Sequence, residues 1–137
     1  KIAVLDFGGQ YAHLIANRIR RLGVYSEIVP CNVISSELRN YRGIVLSGSP
    51  WSVLDKNNPC FDMGLLNLNI PVLGLCYGHQ LLAKVLGGSI SKVNSGEYGK
   101  AIMHIKAQSQ ILNGLKIKEQ IFLKFALELV CLAELIR

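Results

Sequence analysis

A chain of 137 residues that is 50% hydrophobic and 18% charged can bury one core but not two, and this balance excludes an intrinsically disordered tract. The net charge of +6 invites a nucleic-acid reading, but apart from Arg18, Arg20 and Arg21 the basic residues are dispersed, and no aromatics are interleaved with them for base stacking, so nucleic acid is not an expected partner. No apolar stretch reaches the roughly 18 to 20 residues of a bilayer span, and the opening KIAVLDFGGQ turns polar too early for a secretory leader, so a cytoplasmic protein with no membrane partner is expected.

In chain order, Ile2 to Leu5 is a β-branched apolar run ending in Asp6-Phe7-Gly8-Gly9, which predicts a buried strand feeding a tight turn. Tyr11 to Leu22 predicts a helix with Tyr11, Leu14, Ile15, Ile19 and Leu22 on its apolar stripe and Gly23 as its stop. Tyr25 to Val29 and Gly43 to Leu46 read as further strands, the second followed by the loop Ser47-Gly48-Ser49-Pro50. A short helix near Phe61 to Leu68, a strand over Pro71 to Leu75 and a helix over Gln80 to Leu86 continue the alternation. Continuous apolar strands alternating with helices indicate a doubly wound, mostly parallel α/β sheet with helices on both faces. Ligands bind such sheets beyond the carboxyl ends of the strands, where the Gly-rich turns at 8–9, 48 and 74–78 would converge.

After Gly88 the texture changes. Ser89 to Val93 and Lys100 to Ala107 read as strands around the turn Asn94-Ser95-Gly96-Glu97-Tyr98-Gly99. Ile117 to Arg137 lacks both Gly and Pro, and Ile117, Ile121, Phe125, Leu129, Leu132 and Ile136 would make one helical stripe. The four cysteines, Cys31, Cys60, Cys76 and Cys131, have neither zinc-site spacing nor disulfide density, and no metal site is expected.

Only Cys76 has neighbours that suggest chemistry. It lies in Gly74-Leu75-Cys76-Tyr77-Gly78 directly after a strand, the thiol form of a nucleophile elbow. The small flanking residues let the strand reverse sharply into a helix and lift the sulfur out of the core. The helix N-terminus would favour thiolate and offer N–H groups to an oxyanion. A buried, space-filling thiol is the alternative, and the position after a strand favours the nucleophile.

GLCYGHQ at 74 to 80, VLDFGGQY at 4 to 11, LSGSP at 46 to 50 and GEYG at 96 to 99 together resemble the class I (triad) glutamine amidotransferase family, in its GMP synthase branch. The resemblance implies a class I amidotransferase-like, flavodoxin-like fold. It also implies hydrolysis of glutamine through a cysteine thioester, with ammonia passing to an ATP-pyrophosphatase synthetase domain or subunit that converts XMP to GMP. By motif match Cys76 is the nucleophile, Tyr77 and the Gly48–Ser49 loop are oxyanion donors, and Gln80 belongs to the glutamine pocket. No cofactor is implied in this domain; ATP and Mg belong to the partner synthetase.

The chain departs from the family pattern in two places. Gly48-Ser49-Pro50 stands where the family has Gly-Gly-Pro, which places a Cβ in the oxyanion loop. The family's base and its orienting carboxylate lie in a His-Pro-Glu motif far beyond the elbow, and no histidine follows His104 here. His13 and His104 read as surface residues and His79 as a packing or surface residue. The resemblance ends near Leu115, so the expected organisation is an amidotransferase-like domain over 1–115 and a divergent, helix-prone tail over 116–137, with the fold incomplete at its C-terminus and weak activity or none alone. A non-catalytic binding module, a truncated remnant and another cysteine enzyme with the same elbow are the competing expectations.

Overall fold

The computed structural model describes residues 1–59, 61–90, 99–104, 113 and 118–123. The chain divides into two compact units, Lys1–Ile90 and Ser91–Arg137. The first contains β1 (Ile2–Asp6), α1 (Ala12–Arg21), β2 (Ser26–Pro30), a 3-10 turn at Ser35–Leu38, β3 (Gly43–Leu46), a second 3-10 turn at Met63–Asn67, β4 (Val72–Gly74) and α2 (Tyr77–Val85). Its four strands are all parallel in the order β2-β1-β3-β4.

Register decides where the site can form. Val29, Leu5, Leu46 and Gly74 stand in one row across the sheet, so the turns that leave β1, β3 and β4 start from the same edge. This is the carboxyl edge of a parallel sheet, where such folds place ligands.

Both faces of the central strands β1 and β3 are buried, as their apolar runs require, while β2 and β4 are only partly covered. On one face Val4 and Val45 pack with Ala12 and Ala16 of α1, flanked by Ile2, Ile15, Ile19, Ile28 and Leu75. Strand alternation sends the buried Ala3, Leu5, Ile44 and Leu46 to the opposite face. Basic residues Arg18, Arg20 and Arg21 occupy the last turn of α1, where cations complement the helix dipole. The Arg20 guanidinium also donates to the Ser26 carbonyl from Nε at 3.1 Å and Nη2 at 2.7 Å, fastening the helix to the start of β2.

Several expectations change. The buried stripe of α1 is centred on Ala12 and Ala16 rather than on Leu14 and Leu22, which are exposed; the small alanines let the helix lie close against the sheet. Leu22 falls beyond the end of the helix. The short helix expected near 61–68 is a 3-10 turn, started by Asp62, whose side chain accepts from the Gly64 N–H. The elbow helix begins at Tyr77 rather than Gln80, so only Leu75 and Cys76 separate β4 from α2.

In the second unit β5 (Gly99–His104) and β6 (Lys118–Leu123) pair antiparallel, from Gly99 opposite Leu123 to His104 opposite Lys118. Residues 118–123, inside the stretch expected to be helical, are therefore a strand. Ile121-Phe122-Leu123 suits either period, and the partner strand that satisfies its backbone is invisible to local pattern. Ser89 and Ile90 have no regular structure, and the remainder of the strand expected at 89–93, the Gly96-Glu97-Tyr98 part of the GEYG motif and the helix expected over 124–137 lie outside the described residues. Among the described residues no helix is long and apolar enough to cross a membrane.

Candidate active site

Cys76 is the N-cap residue of α2, with φ 57° and ψ −117°. A side chain is rarely held at such a positive φ, and residues kept there against a cost of roughly 1–3 kcal/mol cluster at functional sites. The flanking glycines show what enforces the turn. A Cβ on Gly74 would lie 2.6 Å from the Gly78 carbonyl oxygen, and one on Gly78 would lie 2.3 Å from the Leu46 carbonyl oxygen. Backbone hydrogen bonds then pin the elbow to the end of β3: Leu75 N–H donates to Leu46 O at 2.9 Å, and Gly78 N–H to Ser47 O at 3.1 Å and to Leu75 O at 3.0 Å.

The other two turns reach the same place. A Cβ on Gly48 would stand 3.5 Å from the Cys76 Cβ, so this loop passes directly beside Cys76. A Cβ on Gly9 would stand 2.4 Å from the Gly48 carbonyl oxygen, so the turn after β1 lies against that loop in turn. Gly9, Gly74 and Gly78, where a Cβ would collide with backbone, thus permit the three segments to pack together beside Cys76.

Cys76 is exposed, while the protein around its sulfur strips enough water to push the thiol pKa above its ordinary value. The thiolate expected from the helix N-terminus is therefore not favoured, and attack needs a base. Among the described residues no hydrogen bond reaches the Cys76 sulfur, and neither His13 nor His79 is bonded to it. His13 is exposed on α1, and His104 ends β5 in the other unit. His79 is half-buried on α2, with its Nε2 buried and lacking a partner among the described residues.

The remaining predicted residues are placed as follows. Tyr77 opens α2, where the first N–H groups of a helix have no intrahelical acceptor. Its side chain is buried at 3% exposure, its ring 5.3 Å from that of Phe7. Burial raises the phenol pKa, helped by nearby Cys31 and Asp55. Gln80 is half-buried one turn into α2 and donates its N–H to the Cys76 carbonyl at 3.1 Å. Gly48 and Ser49 are half-buried in the loop after β3. Cys31 is half-buried after β2, while Cys60 and Cys131 lie outside the described residues.

The turn at Gly8–Gly9 is expected at this edge, but sequence reasoning does not single out Phe7 or Ser47, although both help build the site. Ser47 is fully buried; its Oγ accepts from the Phe7 N–H at 3.3 Å and donates to the Gly48 carbonyl at 3.1 Å. The DFGG motif carried the only signal of this role, since a double glycine after a strand marks close backbone approach.

The model of the glutamine amidotransferase class-I family matches residues 3–128, past the point near Leu115 where the resemblance is expected to end. A Leptospira interrogans protein named as a probable GMP synthase (glutamine-hydrolysing) is 48% identical over 136 residues, 98% of this chain and 23% of its own length. A GMP synthase (glutamine-hydrolysing) of Borreliella burgdorferi is 48% identical over 81% of this chain and 22% of its own length. The chain thus spans under a quarter of the length of these curated relatives. A crystal structure described as that of a GMP synthase subunit from Thermoplasma acidophilum superposes with a TM-score of 0.71 at 32% identity, covering 88% of this chain and 62% of that one.

Proposed function

The chain belongs to the class I glutamine amidotransferase family, and we propose that it is the glutamine-hydrolysing part of a GMP synthase, releasing ammonia through a thioester on Cys76. The observation that carries the reading is the Cys76 backbone, held at φ 57° between β4 and α2 with the Gly48 loop beside it. That arrangement serves acyl transfer: a sulfur raised from the sheet edge, N–H groups at a helix start, and a second loop within van der Waals reach.

Cys76 Sγ forms a bond to the side-chain amide carbon of glutamine as the thiol proton passes to a base. The amide oxygen becomes an oxyanion, accepted by the Tyr77 N–H and an N–H of the Gly48–Ser49 loop. Collapse of this intermediate breaks the C–N bond, and the departing nitrogen takes up the proton and leaves as ammonia. Water then attacks the γ-glutamyl thioester, yielding glutamate and restoring the thiol. Gln80, one turn from Cys76, lies in reach of the substrate pocket. The domain's own chemistry uses no cofactor; ATP and Mg act in an ATP-pyrophosphatase synthetase partner that consumes the ammonia in converting XMP to GMP, and the names of the relatives support such a partner.

Ammonia release from glutamine, with and without added imidazole as an external base, tests the reading. Release that is lost in Cys76→Ala is expected; a parent rate no higher than that of Cys76→Ala under either condition would refute it.

A further inference from the structure

Both backbone groups of Phe7 are held by serines of the loop after β3. Its N–H donates to Ser47 Oγ at 3.3 Å, and its carbonyl accepts from Ser49 Oγ at 2.8 Å. The Ser49 oxygen also accepts from the Trp51 N–H at 3.2 Å, which closes a small side-chain turn around Pro50. Phe7 is 2% exposed, and its ring packs 5.3 Å from the Tyr77 ring. One buried residue therefore touches both segments that offer N–H groups to the oxyanion: Tyr77 through its ring and the Gly48–Ser49 loop through its backbone.

We propose that the Ser49 hydroxyl is a positioning group, tying the oxyanion loop to the Phe7 carbonyl and, through Phe7, to Tyr77, so that the two N–H donors keep a fixed spacing beside Cys76. The inference rests on the glutamine-hydrolysis reading but assigns a role to the side chain of Ser49, not to its N–H. Where the family pattern has a second glycine, no such bond exists. Here the added Cβ brings its own fastening. A single neutral hydrogen bond contributes only about 1 kcal/mol net to folding. Its weight at this position is geometric, because displacing a catalytic group by about 1 Å can cost about 10²-fold in rate.

Ser49→Ala and Ser49→Thr in the full chain test this. Trp51 is the only tryptophan and is bonded to the Ser49 oxygen, so its emission reports on the loop independently of activity. Ser49→Ala is expected to shift that emission and to lower kcat for Cys76-dependent glutamine hydrolysis by about ten- to hundredfold, with KM changed less than about threefold. Alkylation of Cys76 by iodoacetamide, which builds no oxyanion, should keep the parent rate and show the elbow intact. Ser49→Thr retains the hydroxyl and should recover both emission and kcat. Parent emission with parent kcat in Ser49→Ala would overturn the proposal, as would a loss that Ser49→Thr shares in full. If the parent releases no more ammonia than Cys76→Ala even with imidazole, the functional reading fails instead, and the emission of the two variants alone decides the fastening.

Discussion

Cys76 sits in a backbone conformation that glycine adopts more readily than any residue with a side chain, and burial around its sulfur favours the neutral thiol. Cys76→Gly should therefore stabilise the fold while abolishing thiol chemistry, by about 1 kcal/mol once glycine's extra chain entropy is set against the relieved strain. Chemical denaturation measures this, and a midpoint at or below the parent's would show that the elbow stores no strain. The raised thiol pKa has its own consequence. The thiolate fraction is small at neutral pH, and the rate of Cys76 alkylation should climb with pH to a midpoint above the ordinary 9.0. A plateau already reached near neutrality would mean that a positive charge stabilises the thiolate. Cys76 is legible in the sequence because its turn is written locally in two glycines. The Ser49–Phe7 bond is not, because it joins residues 42 positions apart and no local pattern marks it.

Among the elements, contact between β3 and α2 depends on Gly78. An alanine there would put its Cβ 2.3 Å from the Leu46 carbonyl oxygen and 2.5 Å from the Leu46 Cβ, so α2 would have to move off the strand. Gly78→Ala should cost about 1–3 kcal/mol or more in denaturation, as overpacking against fixed backbone does, and should shift Cys76 reactivity with it. A parent-like midpoint would place α2 less tightly on β3 than described. The two 3-10 turns are joined differently, by a carboxylate. Asp62 accepts from Ser35 N–H at 2.6 Å and from Gly64 N–H at 2.8 Å, and these bonds, Ser35's first, hold its pKa below the ordinary 3.8. A depressed folded pKa contributes stability that is present above 3.8 and lost as pH falls through the folded value. The gap in denaturation midpoint between parent and Asp62→Ala should thus be steady at neutral pH and narrow on acidification; a gap that persists in acid would deny the carboxylate this role. Strands β1 and β3 are readable as apolar runs because both their faces are buried. The face of α1 is misread from sequence because hydrophobicity ranks leucine above alanine, whereas close helix–sheet packing selects the smaller residue. The β6 segment is misread because its partner strand, not its own period, decides its structure.

At the scale of the whole chain the start of α2 and the Gly48 loop meet beside Cys76, the arrangement the proposed oxyanion site needs, while no base for the proposed proton transfer is seen among the described residues. The sequence holds three histidines, and those whose side chains are described, His13 and His79, make no hydrogen bond to Cys76. With the thiol pKa raised by burial, thioester formation must wait for a minor thiolate population or for a base from solvent. This 137-residue polypeptide by itself should therefore release ammonia from glutamine slowly, and added imidazole should accelerate the Cys76-dependent part of that rate. Ammonia release with and without imidazole, in the parent and in Cys76→Ala, measures the effect. The acceleration identifies proton transfer as limiting only if Cys76→Ala lacks it, since imidazole also hydrolyses activated acyl groups unaided. Turnover at rates typical of an efficient enzyme, roughly 10 per second, without imidazole and lost in Cys76→Ala would show instead that a residue of this chain already serves as the base. His79 would then be the first to substitute, because its buried Nε2 lacks a partner among the described residues and it stands one helical turn from the nucleophile.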